Sequence, residues 1–94
     1  MSGIIRKHIT FYGHVQGVGF RWHARHAADS LRLTGWVRNE YDGSVTMEIQ
    51  GEEAAIDMLL QNLGSDRYID IRHMDIRTIP VEEGERSFRV KHDY

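Results

Sequence analysis

Apolar positions along the chain switch between two periods. From Ile4 to Tyr12, Ile5, Ile9 and Phe11 alternate with His8, Thr10 and Tyr12, which predicts a strand with one buried face. Lys7 interrupts the apolar set, as an open strand end tolerates. Phe20, Ala24, Ala27, Ala28 and Leu31 then recur at helical spacing and predict an amphipathic helix over 22–32, with alanines that let it lie close on a sheet. Thr34-Gly35 ends it, and Trp36 to Glu40 reads as a short strand. Asp42-Gly43 marks a hairpin turn, after which Val45, Met47 and Ile49 alternate with Thr46, Glu48 and Gln50 in a third strand. Gly51 stops that strand. Glu52 and Glu53 open a second helix, Ile56, Leu59, Leu60 and Leu63 form its stripe, and Gly64 stands at its C′ position. Ile69 and Ile71 have one parity and Met74 and Ile76 the other, so the fourth strand should bulge near Arg72-His73. Pro80 to Glu85 reads as a solvated acidic turn, and Phe88 and Val90 as a last short strand.

The order β-α-β-β-α-β predicts an α+β, ferredoxin-like sandwich: an antiparallel sheet with two helices on one face, the final strand added as a hairpin partner. In this topology the first and second strands run the same way with the third between them. Their C-terminal ends then share one sheet edge, about 10 Å apart.

Composition narrows the class. Ninety-four residues, 40% hydrophobic and 28% charged, suit one small globular domain spanning 1–94. Twelve basic and fourteen acidic side chains give a net charge of −2, unlike the basic balance of a dedicated nucleic-acid binder. No apolar run reaches the roughly 18 residues of a membrane span, and no secretory leader is recognisable. The chain has no cysteine, which excludes disulfides, thiolate metal sites and a cysteine nucleophile. A cytoplasmic protein, without nucleic-acid or membrane partners, is the resulting expectation.

The candidate chemistry lies between the first strand and the first helix. Gly13-His14-Val15-Gln16-Gly17-Val18-Gly19-Phe20-Arg21 holds three glycines that allow left-handed backbone and converging N–H groups. The following helix adds its N-terminal partial charge, and Arg21 a planar fork matched to phosphate oxygens. The stretch lacks the Gly-Lys-Ser/Thr of a Walker A loop and the Rossmann glycine spacing. An ordinary tight connection would need the glycines but not the arginine. Asn39 falls at the end of the second strand with the parity of Val37, hence on the helix-covered side with the loop. Its carboxamide can orient a water without ionising, although an asparagine before a hairpin is also a common turn residue. The loop offers no Ser, Thr, Cys or Asp to form a phosphoenzyme and no evident general acid. An acyl phosphate, whose leaving carboxylate needs no proton, fits this equipment better than an alkyl ester.

At these residues the chain resembles the acylphosphatase family. The family's first signature, Gly-x-Val-Gln-Gly-Val-x-Phe/Tyr-Arg, reads as Gly13 to Arg21. Its second reads as Gly35, Trp36, Val37, Arg38, Asn39, Gly43, Val45 and Gly51. The resemblance implies hydrolysis of the carboxyl–phosphate bond by direct attack of water, without cofactor or metal. It implies that backbone N–H groups of Val15, Gln16, Gly17, Val18, Gly19 and Phe20, with Arg21, bind phosphate and that Asn39 orients the water. A small acyl phosphate as substrate, inorganic phosphate as product and inhibitor, and a monomer are the matching expectations. Arg32 departs from the family, whose members commonly carry glycine there.

Other readings stand beside this one. A non-catalytic phosphate- or carbamoyl-phosphate-binding module would share the loop. His14, His23 and His26 cluster around it, but no carboxylate has the spacing to complete a metal site, and His23 reads instead as a brace. Tyr12, Phe20 and Trp36 read as packing residues rather than base-stacking platforms, and the methionines as core filler. Arg25, Arg32 and Arg38 form a candidate basic rim.

Overall fold

A computed structural model describes residues 3–92. Its elements are β1 (Ile4–His14), α1 (Phe20–Ser30), β2 (Thr34–Asn39), β3 (Val45–Glu52), α2 (Glu53–Gly64), β4 (Asp70–Ile79) and β5 (Phe88–Lys91). The five strands form one sheet in the order β4-β1-β3-β2-β5. Alternation along β1 and β3 puts Ile9, Phe11, Val45, Met47 and Ile49 on the covered face, all fully buried. Ala24 and Ala28 of α1 and Ile56, Leu59 and Leu63 of α2 close over them. Each fully buried Leu, Ile or Phe contributes about 2 kcal/mol, so this layer stabilises the whole arrangement. No described helix is long and apolar enough to cross a membrane.

The last strand departs from expectation. β5 does not form a hairpin with β4; it pairs in parallel with β2 at the opposite edge, so the sheet is mixed rather than antiparallel. Burial gives the reason. On the outer side of β4 no helix covers the sheet, and Met74 and Ile76 there are 37% and 43% exposed. Beside β2, α1 packs against β5 and Phe88 falls to 3% exposure. Burial also corrects the reading of the methionines: Met47 fills the core, whereas Met58 on α2 and Met74 on β4 are exposed, and Met1 lies outside the described residues. The predicted bulge is present, since Tyr12 pairs with His73 and Gly13 with Ile71, leaving Arg72 as the extra residue. Gly13 has φ 132°, and a Cβ there would run into the Asp70 carbonyl. Only glycine fits this close approach.

To reach the far edge, residues 80–87 cross the open face of the sheet. The acidic turn is therefore not simply solvated. Arg6, 2% exposed, donates from one guanidinium nitrogen to Glu85 at 2.7 Å and from another to Glu48 at 3.0 Å. Gln50 accepts from the Glu82 N–H at 2.7 Å and donates to the Glu82 carbonyl at 3.1 Å. Burial pushes the Glu48 carboxyl up, but hydrogen bonds from His8 and Arg6 outweigh it and hold the group below its ordinary value. A carboxylate with a lowered folded-state pKa stabilises fully above its ordinary value and loses that contribution as pH falls through the folded value. Unfolding free energy should therefore drop as pH is taken below about 4.5. Urea titrations at a series of pH values check this. Glu48→Gln should lose about 2 kcal/mol at neutral pH and show a shallower acid dependence.

The first helix starts and ends two residues earlier than its spacing predicts, and its end explains Arg32. The Leu33 N–H donates to the Ala28 carbonyl at 2.8 Å and the Arg32 N–H to the Asp29 carbonyl at 3.3 Å. This is a Schellman closure with Leu33 and Ala28 both buried. Arg32 occupies its left-handed position at φ 59°, the one positive φ outside glycine among the described residues. Arg32→Gly should raise stability by about 1 kcal/mol, read as a higher urea midpoint at constant slope.

Candidate active site

The loop from β1 to α1 is held at both ends by apolar anchors. Val15 and Phe20 are buried, and the Phe20 ring meets Phe11 edge-on at 4.8 Å. Between them, Gly19 takes a left-handed conformation (φ 83°) as the N-cap of α1, and its carbonyl accepts the His23 N–H at 2.9 Å. Among the described residues, the backbone N–H groups of Val15 through Phe20 find no carbonyl or carboxylate acceptor. Six consecutive donors without a described partner precede a helix start, an arrangement that favours an anion there.

The side chain of Gln16 does something the sequence did not disclose. Its Nε2 donates to the Glu40 carbonyl at 2.7 Å and to the Ser44 carbonyl at 2.8 Å. The loop is thereby stapled to the β2–β3 turn, right after Asn39. That turn is closed by Asp42, whose carboxylate accepts from the Ser44 hydroxyl at 2.6 Å and the Ser44 N–H at 2.9 Å. These two bonds hold the Asp42 carboxyl below its ordinary value.

Asn39 and Arg21 line one cleft of about 360 Å³ together with Val15, Gly17, Gly19 and Phe20. Among the described residues no carboxylate lines it, and Arg21 makes no ion pair with any described carboxylate. Asn39 pairs with Val45 on the covered face, and its Oδ1 is buried without a hydrogen-bond partner. A buried carbonyl oxygen left unpaired costs about 1–3 kcal/mol, which makes it an acceptor awaiting a donor. The cleft thus offers free N–H donors, an unpaired guanidinium and one oriented acceptor.

Residues 7–90 match the sequence pattern of the Acylphosphatase family. The chain belongs to the acylphosphatase family. It is 40% identical over 86 residues to an acylphosphatase of Geobacillus kaustophilus (strain HTA426), covering 90% of this chain and 92% of that one. The crystal structure of acylphosphatase from Bacillus subtilis superposes with a TM-score of 0.85 at 28% identity, covering 93% of this chain and 98% of that one. Full-length HypF, solved in a phosphate- and nucleotide-bound form, contains a similar region: TM-score 0.85 and 26% identity, over 99% of this chain but 13% of that one. Membership in the acylphosphatase family carries hydrolysis of acyl phosphates with it.

Other side chains singled out in the sequence fall elsewhere. His23 Nε2 lies 3.0 Å from Asp66 Oδ2, tying the start of α1 to the α2–β4 connection, and His26 stacks on Trp22 at 4.0 Å. Among the described residues no group of three or more His, Asp or Glu is arranged to hold a metal ion. Of the three rim arginines only Arg25 lines the cleft. Arg38 lies on the open face, 5.0 Å over the Trp36 ring and paired to Glu40 at 3.0 Å, and Arg32 closes α1. Phe20 packs in the core as expected, whereas Tyr12 sits at the surface against His73. Trp22, Val90 and His92 also line the cleft and were not legible as site residues. Trp22 could have been placed by its position beside Arg21, but Val90 and His92 arrive only through the parallel docking of β5.

Proposed function

We propose that this chain is a metal-independent acylphosphatase in which residues 15–20 and Arg21 hold the phosphoryl group and Asn39 orients the attacking water. The observation that carries the assignment is the unpaired Asn39 Oδ1, buried in the same cleft as the free loop donors and Arg21. Phosphoryl transfer asks the protein mainly for positioning and charge stabilisation. The loop N–H groups and Arg21 bind the non-bridging oxygens and stabilise the charge they carry in the transition state. Asn39 accepts a hydrogen bond from water and aims its lone pair at phosphorus. The new P–O bond forms as the bond to the acyl oxygen breaks, the carboxylate leaves unprotonated, and the water proton passes to a phosphate oxygen. No protein base is required, in keeping with a cleft that no carboxylate of the described residues lines.

In this reading residues 1–94 act as one cytoplasmic, monomeric domain, and inorganic phosphate competes with substrate for the cradle. Hydrolysis of benzoyl phosphate in excess EDTA tests the proposal. Release of phosphate with competitive product inhibition supports it. Phosphate binding without turnover would instead establish a non-catalytic phosphate-binding module.

A further inference from the structure

In the proposed reaction phosphate and water fill one end of the cleft, so the acyl group must lie toward the other. Apart from the loop, Arg21 and Asn39, the cleft is lined by Trp22, Arg25, Val90 and His92, which are left to meet that group. Arg25, Val90 and His92 also line a second hollow of about 510 Å³ that continues between α1 and β5 as far as Ser87. The cradle therefore opens into a groove along the α1–β5 seam. The first cleft alone, at about 360 Å³, falls in the size range that accommodates drug-sized ligands, well beyond phosphate and a two-carbon acyl group. Trp22, 61% exposed and backed by His26, and Val90 supply apolar surface for a flat or aliphatic acyl body.

The charge in this groove is placed beyond the phosphate. Arg25 follows Arg21 by one helical turn, about 6 Å farther along α1. Its neighbouring carboxylate is Asp29, one turn on at 4.0 Å, and both side chains are more than half exposed. Such a pair contributes little, so the Arg25 guanidinium can exchange Asp29 for a ligand anion at small cost. Arg89 also lines the second hollow, where Asp29 is the one carboxylate among the described lining residues.

We propose that the groove is an acyl-group subsite selecting acyl phosphates that carry a second anionic group, with Arg25 as the residue that recognises it. The proposal rests on the acylphosphatase reading above. It makes Arg25 a specificity residue, distinct from Arg21, because the two guanidinium groups meet different ends of one substrate. A rigid ring bearing the anion opposite its acyl phosphate presents the two charges at comparable separation.

The test compares kcat/KM for 4-carboxybenzoyl phosphate and 4-methylbenzoyl phosphate in the wild-type chain and in Arg25→Gln. Intrinsic reactivity cancels when the substrate ratio is compared between the two proteins, and so does any loss of folded protein. The ratio should fall about fivefold in Arg25→Gln, and the wild-type ratio should fall toward that of the variant as salt is raised. An unchanged ratio, or equal losses on both substrates, overturns the subsite. Absence of turnover of 4-methylbenzoyl phosphate by the wild-type chain overturns the acylphosphatase reading itself.

Discussion

Replacing Arg21 with alanine is expected to lower kcat/KM for benzoyl phosphate at least about 100-fold and to abolish competitive inhibition by inorganic phosphate. Both effects follow from the same feature. Arg21 faces the cleft with no described carboxylate paired to it, so its charge is available to an incoming phosphoryl group. A guanidinium bound to phosphate forms two parallel, charge-assisted hydrogen bonds, which are roughly twice as strong as neutral ones. The loop N–H groups remain in the variant, yet without the cation they must hold a dianion on partial charges alone. Arg21→Lys restores charge but not the fork, and should recover only part of the loss. Steady-state kinetics with and without phosphate, beside a urea titration to confirm folding, check the expectation. Retention of phosphate inhibition in Arg21→Ala would remove Arg21 from the cradle.

Asn39→Ala should produce a loss of similar size, about 100-fold, but in kcat, with phosphate inhibition nearly unchanged. The difference between the variants is the informative part. In the proposed mechanism Arg21 contacts the group present in substrate, product and transition state, whereas Asn39 is assigned to a water that matters only during attack. The structure also makes a separate stability forecast. Asn39 Oδ1 is buried and unpaired, so its removal should not destabilise the fold and can raise the urea midpoint slightly. A variant more stable than the parent and slower by two orders of magnitude marks a residue kept for chemistry. Equal losses in kcat and in phosphate affinity would instead place Asn39 in phosphate binding.

Local signals made most of the molecule legible. Period-2 alternation in β1 and β3 and the apolar stripe of α2 name their own buried faces, because burial selects side chains at the spacing of the backbone. The parity break between Ile71 and Met74 announced a bulge, and the structure has its extra residue at Arg72. Gly13 to Arg21 suggested an anion site beside the plainer reading of a tight connection, and the structure places its glycines at positive φ ahead of α1. Arg32 was visible as an oddity; its φ of 59° shows that an arginine occupies the left-handed closure of α1.

What the chain order could not supply was contact between distant segments. β5 follows β4 in sequence, and local reasoning joins them in a hairpin; only competition for cover decides that Phe88 goes beneath α1 beside β2. That choice draws the 80–87 segment across the sheet, turns Glu85 from a solvent acid into the partner of Arg6, and brings Val90 and His92 to the cleft. The staple from Gln16 to the Glu40 and Ser44 carbonyls is likewise a meeting of segments more than twenty residues apart. Element order and the glycine-rich loop between β1 and α1 are written in local spacing, and the strand topology that this order implies already puts Arg21 and Asn39 at one end of the sheet, where both line the cleft. Only the tertiary structure decided how the loop is fixed against Asn39 and what walls the acyl end of the cleft, because those depend on which surfaces bury one another.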